Sequence, residues 1–138
     1  MSEAKTADRE FEALLAAARE AAARAHAPYS GFKVGAAVRT AAGGVFAGCN
    51  VENASYGLTV CAERNAVAAA VAGEGASMRI VAAAVFVDAL RLFPPCGACR
   101  QVLAEFGGAG TRILYAGAGG QAPVCTTLGA LLPEAFGL

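Results

Sequence analysis

The order of apolar and polar residues in the first third of the chain predicts one helix followed by two strands. Apolar side chains recur at helical spacing over residues 8–26, and Pro28 ends that segment. Residues 34–40 and 45–50 are rich in apolar and strand-forming side chains, and they flank the pair Gly43-Gly44. This pattern is typical of a β-hairpin, so the chain is predicted to begin with a helix that precedes a hairpin.

Helical and strand patterns alternate through the rest of the chain. Residues 80–87 form a continuous apolar run, which is typical of a central strand buried on both faces. The other predicted elements are a loop over 53–60, helices over 61–72, 96–106 and 128–132, and strands over 112–116 and 123–125. This order of helices and strands predicts an α/β sandwich around a mixed sheet. The length of 138 residues predicts a single domain over residues 1–138.

The composition adds an expectation about assembly. Of the 138 residues, 57% are hydrophobic, and a domain of this size cannot bury so much apolar surface by itself. We therefore predict buried contacts between subunits, and hence a homo-oligomer.

Charge and hydropathy argue against several classes of partner. The 11 basic and 11 acidic side chains give a formal net charge of +0, so no basic surface for nucleic acid is expected. Charged residues crowd the first ten positions, unlike a signal peptide, and the longest apolar strings are too short to span a bilayer. We expect a cytoplasmic protein without nucleic-acid or membrane partners.

Three of the five cysteines have the spacing of zinc ligands. Cys61 is followed two residues later by Glu63, and Cys96 and Cys99 lie in a Pro-Cys-x-x-Cys run. Three thiolates can hold a zinc ion and leave its fourth position open, and a carboxylate that is not a ligand can move protons for an attacking water. Zinc-dependent nucleobase deaminases have this layout.

Other interpretations of the same residues remain open at this point. A structural zinc module would normally close the metal with four protein ligands, and a thioredoxin-like redox role for the Cys-x-x-Cys run would leave Cys61 unexplained. Glu63 taken alone could be a solvated carboxylate at a helix start. Cys49 and Cys125 lie in apolar, strand-like segments, and we expect them to be small buried hydrophobes.

The predicted helices put all three thiolates at helix N-termini. The partial positive charge there favours the metal-binding thiolate over the thiol. Three thiolates and one Zn²⁺ still sum to one net negative charge, which makes zinc less able to acidify a bound water. Nearby cationic side chains should offset this charge. Arg64 and Arg100 are the candidates for this role, and an ordinary surface salt bridge is the alternative for each.

Several longer motifs resemble those of one enzyme family. They are APYSGFKVGA at residues 27–36, GCNVENASY at 48–56, CAER at 61–64, PCGACRQ at 95–101 and LLPEAF at 131–136. With these motifs the chain resembles the cytidine deaminase family over nearly its whole length, and specifically the small homotetrameric branch with three cysteine ligands. The resemblance implies a three-layer α/β/α sandwich with a mixed five-stranded sheet, a Zn²⁺ cofactor and a tetramer.

The resemblance also implies roles for residues of the chain's own pocket. Asn50 and Glu52 match the pair that hydrogen-bonds the ribose, chiefly its 3′-hydroxyl, and Phe32 matches an aromatic that packs against the pyrimidine. The backbone of Ala62 and the carbonyl of Pro94 are expected to meet the base. Family members often carry Ser or Thr at the place of Pro94, but a carbonyl contact should survive that change.

Other matching positions are expected to act across a subunit boundary. Ala54, Tyr56 and Phe136 match residues that complete a neighbouring subunit's pocket, which would make the active site depend on assembly. The lone His26 is not a ligand in this pattern, and we expect it to be a helix-end residue.

The activity implied by the resemblance is the hydrolytic deamination of cytidine and 2′-deoxycytidine to the uridines with release of ammonia, a step of pyrimidine salvage. Glu63 would accept a proton from the attacking water, deliver it to N3 of the base, and later help the amino group leave. A deaminase of aminonucleoside antibiotics and an editor of polynucleotides share parts of this chemistry. The segment from Asn50 to Glu52 argues against the first, and the charge balance argues against the second.

Overall fold

A mixed five-stranded sheet with helices on both faces forms the structure, a computed structural model that describes residues 3–138. The helices and strands are α1 (Glu3–Ala22), β1 (Val34–Thr40), β2 (Val45–Cys49), α2 (Ala62–Glu74), β3 (Ile80–Val87), α3 (Gly97–Phe106), β4 (Arg112–Gly117), β5 (Val124–Thr127) and α4 (Leu128–Leu131), with a 3₁₀ turn over Tyr56–Leu58. Each predicted strand is present, with ends shifted by two residues or fewer.

The sheet has the strand order β2-β1-β3-β4-β5. Strands β3 and β4 are parallel, and every other neighbouring pair is antiparallel. The predicted continuous apolar run is therefore the central strand, and all of its residues except Val81 are buried. The mixed sheet predicted from the element order is confirmed.

Each face of the sheet carries its own hydrophobic cluster. On one face, Leu14 and Ala18 of α1 pack against a group that includes Ala84 and Leu114 of the sheet. On the other face, α2, α3 and α4 contribute their buried side chains to a second cluster, with Leu103 among its fully buried members. The predicted three-layer α/β/α sandwich is thus the observed architecture.

Two strand glycines allow the outer helices to come close to the sheet. A Cβ atom added at Gly35 would lie 1.8 Å from the Ala18 carbonyl oxygen of α1, and one at Gly48 would lie 2.5 Å from the Ala66 nitrogen of α2. Neither distance is possible for a side chain, so the hairpin requires glycine at both positions. The second glycine matters for function, because it sets the distance of α2 from the hairpin.

The connection between α1 and β1 differs from the prediction. The first helix ends at Ala22, so His26 is not a helix-end residue, and that expectation was wrong. The His26 backbone instead pairs with the segment after β2, donating to the Asn50 carbonyl at 3.1 Å and accepting from the Glu52 N–H at 2.8 Å. Because the His26 backbone groups form these long-range hydrogen bonds, they do not form helical ones, and the helix ends before His26.

The two remaining cysteines are less buried than expected. Cys125 lies exposed on β5, because β5 is an edge strand with one face open, so the expectation of burial was wrong there. Cys49 at the end of β2 is half-buried. Among the residues that the structure describes, no helix combines the length and the apolar character needed to cross a bilayer.

Candidate active site

The N-termini of α2 and α3 meet at one edge of the structure and bring three cysteines together. Cys61 and Cys96 are the residues immediately before the two helices, and each has an extended backbone conformation. Cys99 lies in the first turn of α3 and is fully buried. Neither N-terminal cysteine uses its side chain to cap its helix, so the sulfur atoms are available to a metal.

The geometry of the three sulfur atoms fits zinc. The Sγ atoms of Cys61 and Cys96 are 3.9 Å apart, those of Cys96 and Cys99 are 3.4 Å apart, and all three lie within 4.8 Å of one another. A tetrahedral ion with Zn–S bonds of about 2.3 Å would separate its sulfur ligands by about 3.8 Å. Among the described residues no fourth Cys, His, Asp or Glu joins the cluster, so a bound ion would keep one position open.

The electrostatics of the cluster favour thiolate at Cys61. The neighbouring Cys99 thiol and Arg64 lower the pKa of Cys61 to about 5. The pKa of Cys99 is raised, because its thiol is held against Cys61 and is buried. A bound divalent cation would favour the deprotonated form of all three cysteines.

The two arginines next to the cysteines have different partners. The Arg64 guanidinium lies against the cluster, with Nη2 at 3.6 Å from the Cys61 sulfur and at 3.4 Å from the Thr59 carbonyl. Arg100 donates instead to backbone carbonyls, at 2.7 Å to Pro95 and 2.9 Å to Leu131. Arg64 therefore faces the thiolate charge directly, whereas Arg100 ties the chain before Cys96 to the end of α4.

Glu63 lies in the first turn of α2 beside the cluster without belonging to it. Its side chain is only 5% exposed. Burial raises its pKa, and the negative charge of Cys61 acts in the same direction. A carboxyl group with a raised pKa in a buried pocket is suited to accept and return a proton near neutral pH.

A cavity of about 270 Å³ opens in front of Glu63 and the cysteines. All five residues expected to contact substrate from the chain's own subunit line it, namely Phe32, Asn50, Glu52, Ala62 and Pro94. The cavity wall also contains side chains that the sequence did not single out, namely Ser30, Val34, Thr59, Val85 and Phe93. The cavity walls are mostly apolar with a few convergent polar groups, as expected of a small-molecule site.

Phe93 packs against the predicted base-stacking ring. The rings of Phe32 and Phe93 meet edge to face, with centroids 5.2 Å apart, and the Arg91 guanidinium lies 4.7 Å from the Phe93 ring centroid. Phe32 lines the cavity and is 40% exposed, so part of its side chain is accessible to a ligand. The position of Phe93 in the Phe-Pro-Pro run before Cys96 could have indicated that it lies near the site. Its contact with Phe32 is visible only in the folded structure.

Asn50 and Glu52 reach the cavity from the segment after β2. Asn50 is buried, and its amide donates to the Phe32 carbonyl at 2.8 Å and accepts from the Val34 N–H at 2.9 Å. The Ser30 hydroxyl donates a hydrogen bond to the Glu52 carboxylate, which lowers the pKa of Glu52 and keeps it ionised. Both side chains are therefore held in place by the segment that leads into β1.

The three residues expected to serve a neighbouring subunit do not line this cavity. Tyr56 and Phe136 are 75% and 71% exposed, and Ala54 is exposed as well. Tyr56 packs edge to face on Tyr29 at 5.9 Å, next to the cavity mouth. The aromatic rings of Tyr56 and Phe136 are therefore both accessible on the surface of the chain.

A second cavity, of about 550 Å³, lies on the opposite side of the sheet. It is bounded by α1 and the ends of β3 and β4, with Arg19 and Asp88 as its charged side chains. Among the described residues it contains no cluster of metal-ligating groups. Its larger volume therefore does not make it the reaction site.

Nucleobase deaminases that use zinc combine cysteine ligands, an open coordination position and a free glutamate, and the fold and cluster of this chain define the same class. Residues 8–116 match the family model described as the cytidine and deoxycytidylate deaminase zinc-binding region. This match covers more than half of the chain, so the chain belongs to that family.

Individual relatives agree with the family match. The chain is 47% identical to a cytidine deaminase of Halalkalibacterium halodurans, covering 89% of this chain and 91% of the relative. It is 46% identical to a cytidine deaminase of Mycobacterium tuberculosis, covering 95% and 92%. The crystal structure of cytidine deaminase from Burkholderia pseudomallei superposes with a TM-score of 0.82 at 47% identity, covering 91% of this chain and 98% of that one.

Proposed function

We propose that this chain is a zinc-dependent hydrolase that deaminates cytidine and 2′-deoxycytidine to uridine and 2′-deoxyuridine and releases ammonia. The observation that carries the proposal is that buried Glu63 lines the same cavity as Cys61 and Cys96 of the three-cysteine cluster. Membership in the deaminase family and relatives named cytidine deaminase support the same substrate class.

The proposed ligands of zinc are Cys61, Cys96 and Cys99, with Arg64 offsetting their excess negative charge. Zinc in such a site acts as a Lewis acid and lowers the pKa of water. Arg100 supports the site through the backbone before Cys96.

Glu63 is the proposed proton carrier. Its carboxylate takes a proton from the attacking water, passes it to N3 of the pyrimidine, and assists the departure of the C4 amino group as ammonia. The Glu63 side chain itself is buried, and removal of its carboxylate from bulk water strengthens these hydrogen bonds.

The proposed substrate contacts follow the lining of the cavity. The ring of Phe32 packs on the pyrimidine, the backbone of Ala62 and the carbonyl of Pro94 bond the base, and Asn50 and Glu52 bond the ribose 3′-hydroxyl. Both polar side chains are already fixed by the segment before β1, which supports a preformed ribose site.

We also propose that the protein works as a homo-oligomer, a tetramer, in which Ala54, Tyr56 and Phe136 complete a neighbour's pocket. The exposed rings and the 57% hydrophobic composition support this assembly. The further proposals are that residues 1–138 form one domain and that the enzyme acts in cytoplasmic pyrimidine salvage. The five free cysteines agree with a reducing compartment.

The substrate class is tested by a panel of four cytosine compounds. Purified protein should release ammonia from cytidine and 2′-deoxycytidine. For cytidine 3′-phosphate kcat/KM should be at least about 10-fold lower, because the phosphate removes the hydroxyl proton that Glu52 would accept and adds negative charge beside that carboxylate. It should not act on single-stranded DNA. Comparable kcat/KM on cytidine and on a cytosine within an oligonucleotide would refute this account of the pocket.

A further inference from the structure

The Glu52 carboxylate is held by the loop that joins α1 to β1, more than twenty residues earlier in the chain. Its Oε1 accepts from the backbone N–H groups of Tyr29 and Ser30, at 2.9 and 3.1 Å. Its Oε2 accepts from the Ser30 hydroxyl. A carboxylate can accept about four hydrogen bonds, so Oε2 keeps capacity for a substrate hydroxyl.

The Ser30 hydroxyl has a second partner. Its oxygen accepts a hydrogen bond from the Phe32 N–H at 3.0 Å, and its O–H donates a hydrogen bond to the Glu52 carboxylate. One hydroxyl therefore connects the backbone of the base-packing aromatic to the ribose-binding carboxylate. The left-handed conformation of Gly31, at φ 76°, lets the chain turn between the two contacts.

We propose that Ser30 is a positioning residue that fixes the Glu52 carboxylate for the ribose 3′-hydroxyl and keeps it in register with Phe32. This inference rests on the proposed function, because it assigns Glu52 to the ribose. Without the Ser30 hydroxyl the two backbone bonds still hold Oε1, but Oε2 has no partner in the loop and must be oriented when substrate binds, which weakens binding. Since the contact is remote from C4 and N3, its loss should affect KM more than kcat.

The test compares Ser30→Ala, Ser30→Thr and the parent chain on cytidine and on 3′-deoxycytidine. Ser77→Ala is the matched control, since Ser77 is an exposed serine in the turn before β3. Removing one hydrogen bond to a carboxylate should raise KM for cytidine by on the order of 10-fold, with kcat within about 2-fold of the parent value. For 3′-deoxycytidine, KM should be nearly unchanged, because the hydroxyl that Glu52 bonds is absent. Ser30→Thr retains the hydroxyl and should restore most of the affinity.

The outcomes separate this proposal from the proposed function. A parent chain that fails to deaminate cytidine refutes the proposed function and this inference with it. If the parent chain is active, three results with Ser30→Ala would refute the role of Ser30 alone. They are an unchanged KM for cytidine, an equal rise in KM for both nucleosides, and a loss of zinc. A KM increase confined to the nucleoside with a 3′-hydroxyl, with zinc retained, supports the proposal.

Discussion

Replacing Glu63 by glutamine tests proton transfer separately from metal binding. Glutamine has the shape of glutamate, so it fills the same buried space at 5% exposure and leaves no cavity beside Ala62 or the cysteines. The zinc ligands are unaffected, because the metal cluster contains the three sulfur atoms without Glu63. What the substitution removes is the ability to accept and return a proton.

The size of the effect follows from this single loss. General acid–base catalysis contributes about 10²–10⁴-fold to rate, which corresponds to about 3–5 kcal/mol in the activation free energy. Because the proposed role of Glu63 includes several proton transfers in turn, we expect a decrease in kcat of at least this size. The KM for cytidine should change less than kcat, since the proposed ribose contacts are made by Asn50 and Glu52, which are other side chains of the cavity wall.

The assay measures uridine formation from cytidine, with zinc content and melting temperature determined on the same sample. Glu74→Gln is the matched control, because Glu74 ends the same helix and bonds the Thr40 hydroxyl at 2.8 Å, far from the cysteines. The control should keep its kcat. A near-normal kcat in zinc-loaded Glu63→Gln would show that another group carries the proton.

One further substitution tests the metal cluster, and a truncation tests the assembly. Cys99→Ala should lose zinc and activity together, whereas Cys125→Ser, which changes an exposed cysteine outside the cluster, should keep both as measured by elemental analysis and ammonia release. Truncation after Leu132 removes the exposed Phe136 ring and should impair catalysis while zinc remains bound, with native mass measured alongside. A fully active truncated monomer would contradict the shared pocket.

Local sequence patterns predicted the elements that bring the three cysteines together. Cys61 and Cys96 precede helices whose starts are visible from spacing and flanking residues, and Cys99 follows within one turn, so the ligand set depends on short-range order. The strands were predictable for a similar reason, since apolar runs and the Gly43-Gly44 turn are local features. The parallel pairing of β3 with β4 then follows from the crossover through α3.

Long-range contacts were beyond the reach of such patterns. The His26 backbone, beyond the end of α1, donates a hydrogen bond to the Asn50 carbonyl. The Ser30 hydroxyl donates to Glu52, which lies 22 positions later in the sequence. Neither contact has a periodic signature, because the partners come together only when the hairpin packs on α1 and α2. The same reason explains why sequence could not distinguish Arg64, which faces the Cys61 sulfur, from Arg100, which bonds carbonyl groups.

The central claim is that the three-cysteine cluster is the reaction centre, and a zinc titration tests it most directly. The protein is stripped of metal with a chelator, Zn²⁺ is added back in known amounts, and ammonia release from cytidine is measured at each point. Activity should rise from near zero and level off at about one zinc per chain, as expected for three protein ligands and one open position. Full activity in metal-free protein, or no activity at one bound zinc per chain, would contradict the account.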